Sequence, residues 1–293
     1  MPKITLQGLP IAVKVLFTSF LLTIGFAYIF ALLLLIFSPC VTASEGKQFH
    51  DPVSSLRIAA AEELINGRAI IRKMDLLMRG DTIIGTYEMT ITDPNWERTL
   101  RLTAWENRKE KKTFIRILSP PKEEGIGTLK IGFEMWNYLP KVERIIKVPP
   151  SMMMQSWMGS DFTNDDLVKE SSIVEDYLHR LVGEVKLNGY EAYHVEAVPK
   201  PDAPVVWDKI HYWVRKGDYI PLRQEFYSEK GELIRVMTFS DIKKMGGRVI
   251  PTFWRMVPVK KEGKQTTLRI VDAEFNRPID AEIFTLRNLR RVR

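Results

Sequence analysis

The side chains best suited to acid–base or metal chemistry are four histidines, His50, His179, His194 and His211, and they are scattered singly. None forms an HExxH pair or another paired-ligand spacing. The only cysteine, Cys40, lies in an apolar leader, so nothing assembles a zinc site. The stretch DFTNDD, residues 161–166, offers the oxygen ligands of a calcium loop. It lacks the glycine at the sixth position and the glutamate at the twelfth, where Ser172 stands, and it reads better as a helical turn opened by Thr163 or Asn164. There is no GxSxG elbow and no GxxxxGK(S/T) loop, and no spacing singles out an acid and a base among the carboxylates. The chain is expected to be no enzyme, with no metal and no cofactor.

A different chemistry is concentrated in Pro149–Leu167, PPSMMMQSWMGSDFTNDDL, which holds four of the twelve methionines together with Trp157 and Phe162. Methionine is unbranched and polarisable, and a surface built from it repacks around ligands of varied shape. The plainer reading is core filler under a loop. Three consecutive methionines cannot all point one way in a helix or a strand, so at least one of them faces a cavity, a groove or solvent.

The elements that position this stretch follow from composition and periodicity. Residues 1–43 contain Lys3 and Lys14 and no acid, run apolar from Val15 to Phe37, and end Val41-Thr42-Ala43, the pattern of a secretory signal. The same run is long enough to stay as an uncleaved anchor, and both readings remain open. Phe37-Ser38-Pro39 is a poor lipidation signal for Cys40. Residues 44–293 are expected to form a single domain without disulfides, stabilised by a packed core. Without the leader the formal charge falls from +7 to +5 (41 basic against 36 acidic residues), too mild and too dispersed for nucleic-acid binding.

Asp51-Pro52 opens a helix expected to run to about Arg79, loosened near Asn66-Gly67. From there the period changes to two: TYEMTIT, TLRLTAW and KTFIRIL each bury one face. Asn188-Gly189 marks a hairpin, and turn signals at 216–218, 229–231, 246–247 and 262–264 separate further strands. The expectation is a mainly β (α+β) fold: about ten antiparallel strands, curled, with the N-terminal helix and the methionine-rich segment as the available covers.

The run FIRILSPPKEEGIGTLKI, then MWNYLPKVERIIKVPPSMMMQSWMGSDFTNDDL, then PLRQEFY, FSDIKK and VIPTFWRM resembles the outer-membrane lipoprotein-sorting protein family of the LolA-like superfamily. The resemblance spans roughly Ala60 to Arg290 and is most specific from Trp136 to Leu167. It implies a strongly bent, unclosed antiparallel β-barrel with helices lidding an apolar cavity, in the periplasm of a double-membraned bacterium. On this reading the chain carries lipid or lipoprotein acyl chains toward the outer membrane or an export system, between an inner-membrane transporter and an outer-membrane acceptor. Candidate lining residues are Tyr87, Met89 and Ile91; Met135, Trp136, Tyr138 and Leu139; and Met152, Met154, Trp157, Met158 and Phe162. Which face of each strand looks inward is open, because a one-residue slip exchanges the set. The alternative is a non-carrying envelope adaptor that docks on a membrane transporter. A carrier needs a continuous cavity of several hundred Å³; an adaptor does not.

Overall fold

The computed structural model describes residues 67–169, 173–201, 203 and 205–291. The leader, Cys40, His50 and the expected helix start at Asp51 lie outside the described residues. Helix α1, residues 67–79, ends where the sequence places it: Gly80 takes φ +65° and its N–H bonds Leu76 O at 3.0 Å, a glycine C-cap.

Thirteen strands follow, where about ten were expected: β1 (Thr82–Asp93), β2 (Trp96–Asn107), β3 (Lys112–Ser119), β4 (Gly127–Ile131), β5 (Glu134–Leu139), β6 (Arg144–Lys147), β7 (Tyr177–Leu187), β8 (Tyr190–Pro199), β9 (Lys209–Arg215), β10 (Pro221–Tyr227), β11 (Leu233–Met245), β12 (Arg248–Pro258) and β13 (Gln265–Phe275). The short strands β4 and β6 are too brief to display a period, which explains the undercount. All thirteen form one antiparallel sheet in the order 6-5-4-3-2-1-13-12-11-10-9-8-7. The first and last strands pair at its centre, and the sheet does not close: β6 and β7 are its free edges.

Turn chemistry fixes the register. Asn188 and Gly189 (φ +51° and +84°) join Leu187 to Tyr190, and Gly246 and Gly247 (φ +53° and +80°) join Met245 to Arg248. Positive φ at both central residues is the two-residue turn whose twist matches the flanking strands. The register then stacks Met89 against Leu100 and Leu268, and Leu102 against Ile117 and Tyr87, on one inner face.

The two halves of the sheet are covered differently. On the inner face of β8–β12, α1 lays Ile70, Ile71 and Met74 onto Val195, Ala197, Ile210, Tyr212 and Val214. Gly67 meets β7 so closely that a Cβ there would stand 2.9 Å from His179 O. On the outer face of β2–β5, Phe114, Leu129 and Tyr138 are covered by Phe284 and by Leu289 of the short helix α3 (Leu286–Leu289). The outer face of β8–β10 carries a polar and aromatic ladder instead. There His194 and His211, single in the sequence, meet at 2.6 Å, with Trp213 stacked 4.6 Å from His194.

Candidate functional site: a strap across the open sheet

Residues 148–176 run from one free edge of the sheet to the other, and the described part of this strap holds the methionine-rich stretch. Residues 153–165 close on themselves: Asp165 N–H donates to Met153 O (2.7 Å), Asn164 N–H to Gln155 O (3.0 Å) and Trp157 N–H to Phe162 O (2.7 Å). A compact loop with adjacent ends of this kind orders itself through its own backbone bonds. Helix α2 (Asn164–Lys169) follows, opened as expected by Thr163: its Oγ1 accepts from Asp166 N–H at 3.1 Å, and its own N–H donates to Asp166 Oδ2 at 2.7 Å.

Side chains nail this loop to four strands. Trp157 Nε1 donates to Thr128 Oγ1 on β4 at 3.1 Å, and the Thr128 hydroxyl in turn donates to Asn137 Oδ1 at 2.7 Å. On β13, Thr266 Oγ1 accepts from Asp161 N–H at 2.9 Å and donates to Asp161 Oδ2 at 2.8 Å. Arg235 on β11 grips Asp161 O and the Asp166 carboxylate. Arg98 on β2 donates to Met158 O and, at 2.7 Å, to Glu123. Met158 itself sits at φ +52°, left-handed backbone that a non-glycine residue keeps only when its surroundings hold it there.

What these bonds hold in place is an apolar plug. Trp157 is only 3% exposed and packs with Met89, Ile91, Leu100, Leu102, Ile115, Ile117, Met135 and Leu268; Phe162 bridges that cluster to the one beneath α1. Burying an aromatic side chain removes roughly 150–250 Å² from water, a gross driving force of about 4–6 kcal/mol. Beside the plug lies a cavity of about 120 Å³ walled by Tyr87, Met89, Leu102, Ile115, Trp254 and Leu268, with Trp157 and Phe162 as its roof. Tyr87 folds back over Gly85, where a Cβ would stand 2.5 Å from the phenol oxygen, so the shape of this wall depends on a missing side chain. A second hollow of about 130 Å³ opens between the strap and Trp207, Ile210, Tyr212 and Phe226.

The expected lining set is thus divided. Tyr87, Met89, Ile91, Met135, Trp157, Met158 and Phe162 come together at the plug or its cavity. Trp136 and Tyr138 point to the outer face, against the C-terminal segment, because neighbours in a strand alternate with the inward Met135. Leu139 is half-buried at the end of β5 and belongs to neither group. Of the three consecutive methionines, Met153 packs on the plug while Met152 and Met154 are 41% and 50% exposed. The sequence reading missed Met153, Leu102, Ile115, Trp254 and Leu268. The alternation in TLRLTAW and KTFIRIL already carried the signal for Leu102 and Ile115.

No metal-binding group of three or more ligands occurs among the described residues, and none of their helices is long and apolar enough to cross a membrane. No curated protein matches the sequence. A family profile described only as "uncharacterized protein" matches residues 109–291, more than half of the chain. Among solved structures, an outer membrane lipoprotein-sorting protein domain from Vibrio parahaemolyticus is 26% identical, with a TM-score of 0.67 over 78% of this chain and 100% of that one. A DUF1329 family protein from Desulfovibrio piger (22% identity, TM-score 0.71, 78% of this chain and 99% of that one) shares the fold. So does a LolA superfamily protein from Nitrosomonas europaea (22%, TM-score 0.64, 76% and 98%).

Proposed function

We propose that this chain, which belongs to the family of that profile and shares its fold with an outer membrane lipoprotein-sorting protein domain and a LolA superfamily protein, is a periplasmic carrier of lipid or lipoprotein acyl chains. It takes its cargo beneath the strap and delivers it from an inner-membrane transporter to an outer-membrane acceptor or an export system. The observation that carries this reading is the origin of the plug. The hollow of the sheet is filled by Trp157 and Phe162, which belong to the strap and not to the sheet. Moving the strap therefore empties the hollow without unfolding a strand. Each methylene that replaces the plug against the same walls gains about 0.8 kcal/mol, so a long chain supplies the energy that displacing two aromatic rings requires. A non-enzymatic role agrees with a site lined almost wholly by hydrocarbon, aromatic and thioether groups.

One observation favours the adaptor reading: at about 120 Å³ the cavity is far smaller than the several hundred Å³ that a resident acyl chain needs. The two readings part on whether the strap yields. Lipid extraction of the gently purified protein followed by mass spectrometry, together with uptake of a fluorescent fatty-acyl probe, decides between them. A carrier co-purifies with lipid or takes up the probe. Trp157→Ala, which removes half of the plug, raises probe capacity while costing about 3–5 kcal/mol of stability. Lipid-free protein that refuses the probe in both forms would exclude the carrier.

A further inference from the structure

The wall of the plug cavity is not uniformly apolar. At the end where β2 meets β3, the paired residues Glu106 and Thr113 complete the lining; Glu106, 8% exposed, is the one carboxylate in it. Behind Glu106, Arg79 of α1 holds its carboxylate, and Arg108 holds Asp75. The four charges cancel formally. Neither guanidinium is among the lining side chains, so a ligand in the cavity meets one carboxylate, the hydroxyl-bearing side chains of Thr113 and Tyr87, and no cation. Apart from the Tyr87 phenol, the other lining side chains are aliphatic, aromatic or thioether, including Leu102, Ile115, Trp157 and Leu268.

Resting on the carrier reading, we infer that the cargo is an amphiphile with a hydrogen-bond-donating, non-anionic head, a hydroxyl or an amine. Its head lies at Glu106 and Thr113, and its hydrocarbon runs under Trp157 toward Leu100 and Ile117. A carboxylate accepts and does not donate, whereas threonine does both, so a hydroxyl or ammonium head satisfies both groups. A carboxylate or phosphate head would place a second anion beside a buried one, where repulsion is screened little. Hydrocarbon burial supplies the affinity, and this end of the cavity supplies the orientation and the choice of head.

The test is a head-group series on one chain length. Dodecanol, dodecylamine and dodecanoic acid are titrated into the purified protein at pH 7, read by the change in intrinsic tryptophan fluorescence, to which Trp157 and Trp254 of the lining contribute. The expected order places the alcohol and the amine at least about tenfold tighter than the acid. Glu106→Gln, which keeps the shape and removes the charge, narrows that gap to within about threefold. Should this variant fail to fold, the wild-type series decides alone. Equal binding of all three probes, or preference for the acid, overturns the inference and leaves the carrier standing. Binding of none of them overturns both.

Discussion

Arg235 on β11 holds both carboxylate oxygens of Asp166 on the strap, at 2.7 and 2.5 Å, while its guanidinium lies over the adjacent rings of Trp207 and Phe226, 4.4 Å from each centroid. The rings fix the arginine and the arginine fixes the strap. The same guanidinium also donates to Asp161 O at 3.0 Å, so one residue of the sheet secures the strap on both sides of Phe162. Removing the carboxylate leaves a buried cation without its counter-ion, a loss of about 3–5 kcal/mol. Asp166→Asn is expected to lower the urea midpoint accordingly and to speed acyl-probe uptake, because the strap opens more often. Unfolding curves and stopped-flow uptake measure the two effects. Unchanged uptake with lowered stability would show that the strap does not gate the hollow.

The three consecutive methionines separate cleanly by packing. Met152→Ser and Met154→Ser alter exposed side chains and are expected to change stability by no more than about 0.5 kcal/mol. Met153→Ser removes a side chain packed on the plug and is expected to cost about 2–4 kcal/mol. Chemical denaturation of the three single variants ranks them, and equal effects would contradict this placement.

Acid sensitivity is expected from His179, which holds the far end of the strap. Burial pushes its imidazole down to about 4 from an ordinary 6.5; the hydrogen bond to Ile173 O, 2.7 Å from Nε2, partly opposes that, and Arg68 and Lys200 add to the lowering. Nδ1 is buried without a partner, so a second proton would find no acceptor. The unfolded chain binds that proton near pH 6.5 and the folded one only near pH 4. Stability from this group is therefore complete above 6.5, declines as pH falls toward 4 and then levels, a change of about 3 kcal/mol. Denaturation at pH 7, 5.5 and 4 should show the decline, and His179→Gln should flatten it. His194 and His211 are also lowered by burial and act in the same direction, so the difference between wild type and variant isolates His179.

At Gly67 the constraint is space. A Cβ would come within 2.9–3.1 Å of the β7 backbone at His179–Leu181, and backbone cannot swing aside. Gly67→Ala should cost about 1–3 kcal/mol despite alanine's better helix propensity, and should raise amide hydrogen exchange along β7.

Much of this architecture was legible in the chain. Period-two stretches announced the long strands, Asn188-Gly189 announced its hairpin, and Thr163 announced α2. The identity of the two covers also followed, because a curled sheet needs a lid and only two segments had the composition for one. Parity was not legible where no period exists: PPSMMMQSW carries no two- or 3.6-residue repeat, so the inward turn of Met153 emerges only from the backbone bonds that close the loop. Trp136 and Tyr138 were grouped with Met135 by composition, although strand alternation separates them. His194 and His211 become neighbours only through the β8–β9 register, which no local spacing displays.

In a closed barrel the bore is set by strand number and stagger. Here β6 and β7 never meet, and the strap spans the gap between them as a string spans a bow. On the carrier reading, slackening the string would leave the limbs free to spread, so that a tether of fewer than thirty residues, and not the hydrogen-bonded wall, would set the width available to a guest. Substitutions in that tether should therefore tune capacity, while the sheet itself keeps its registry.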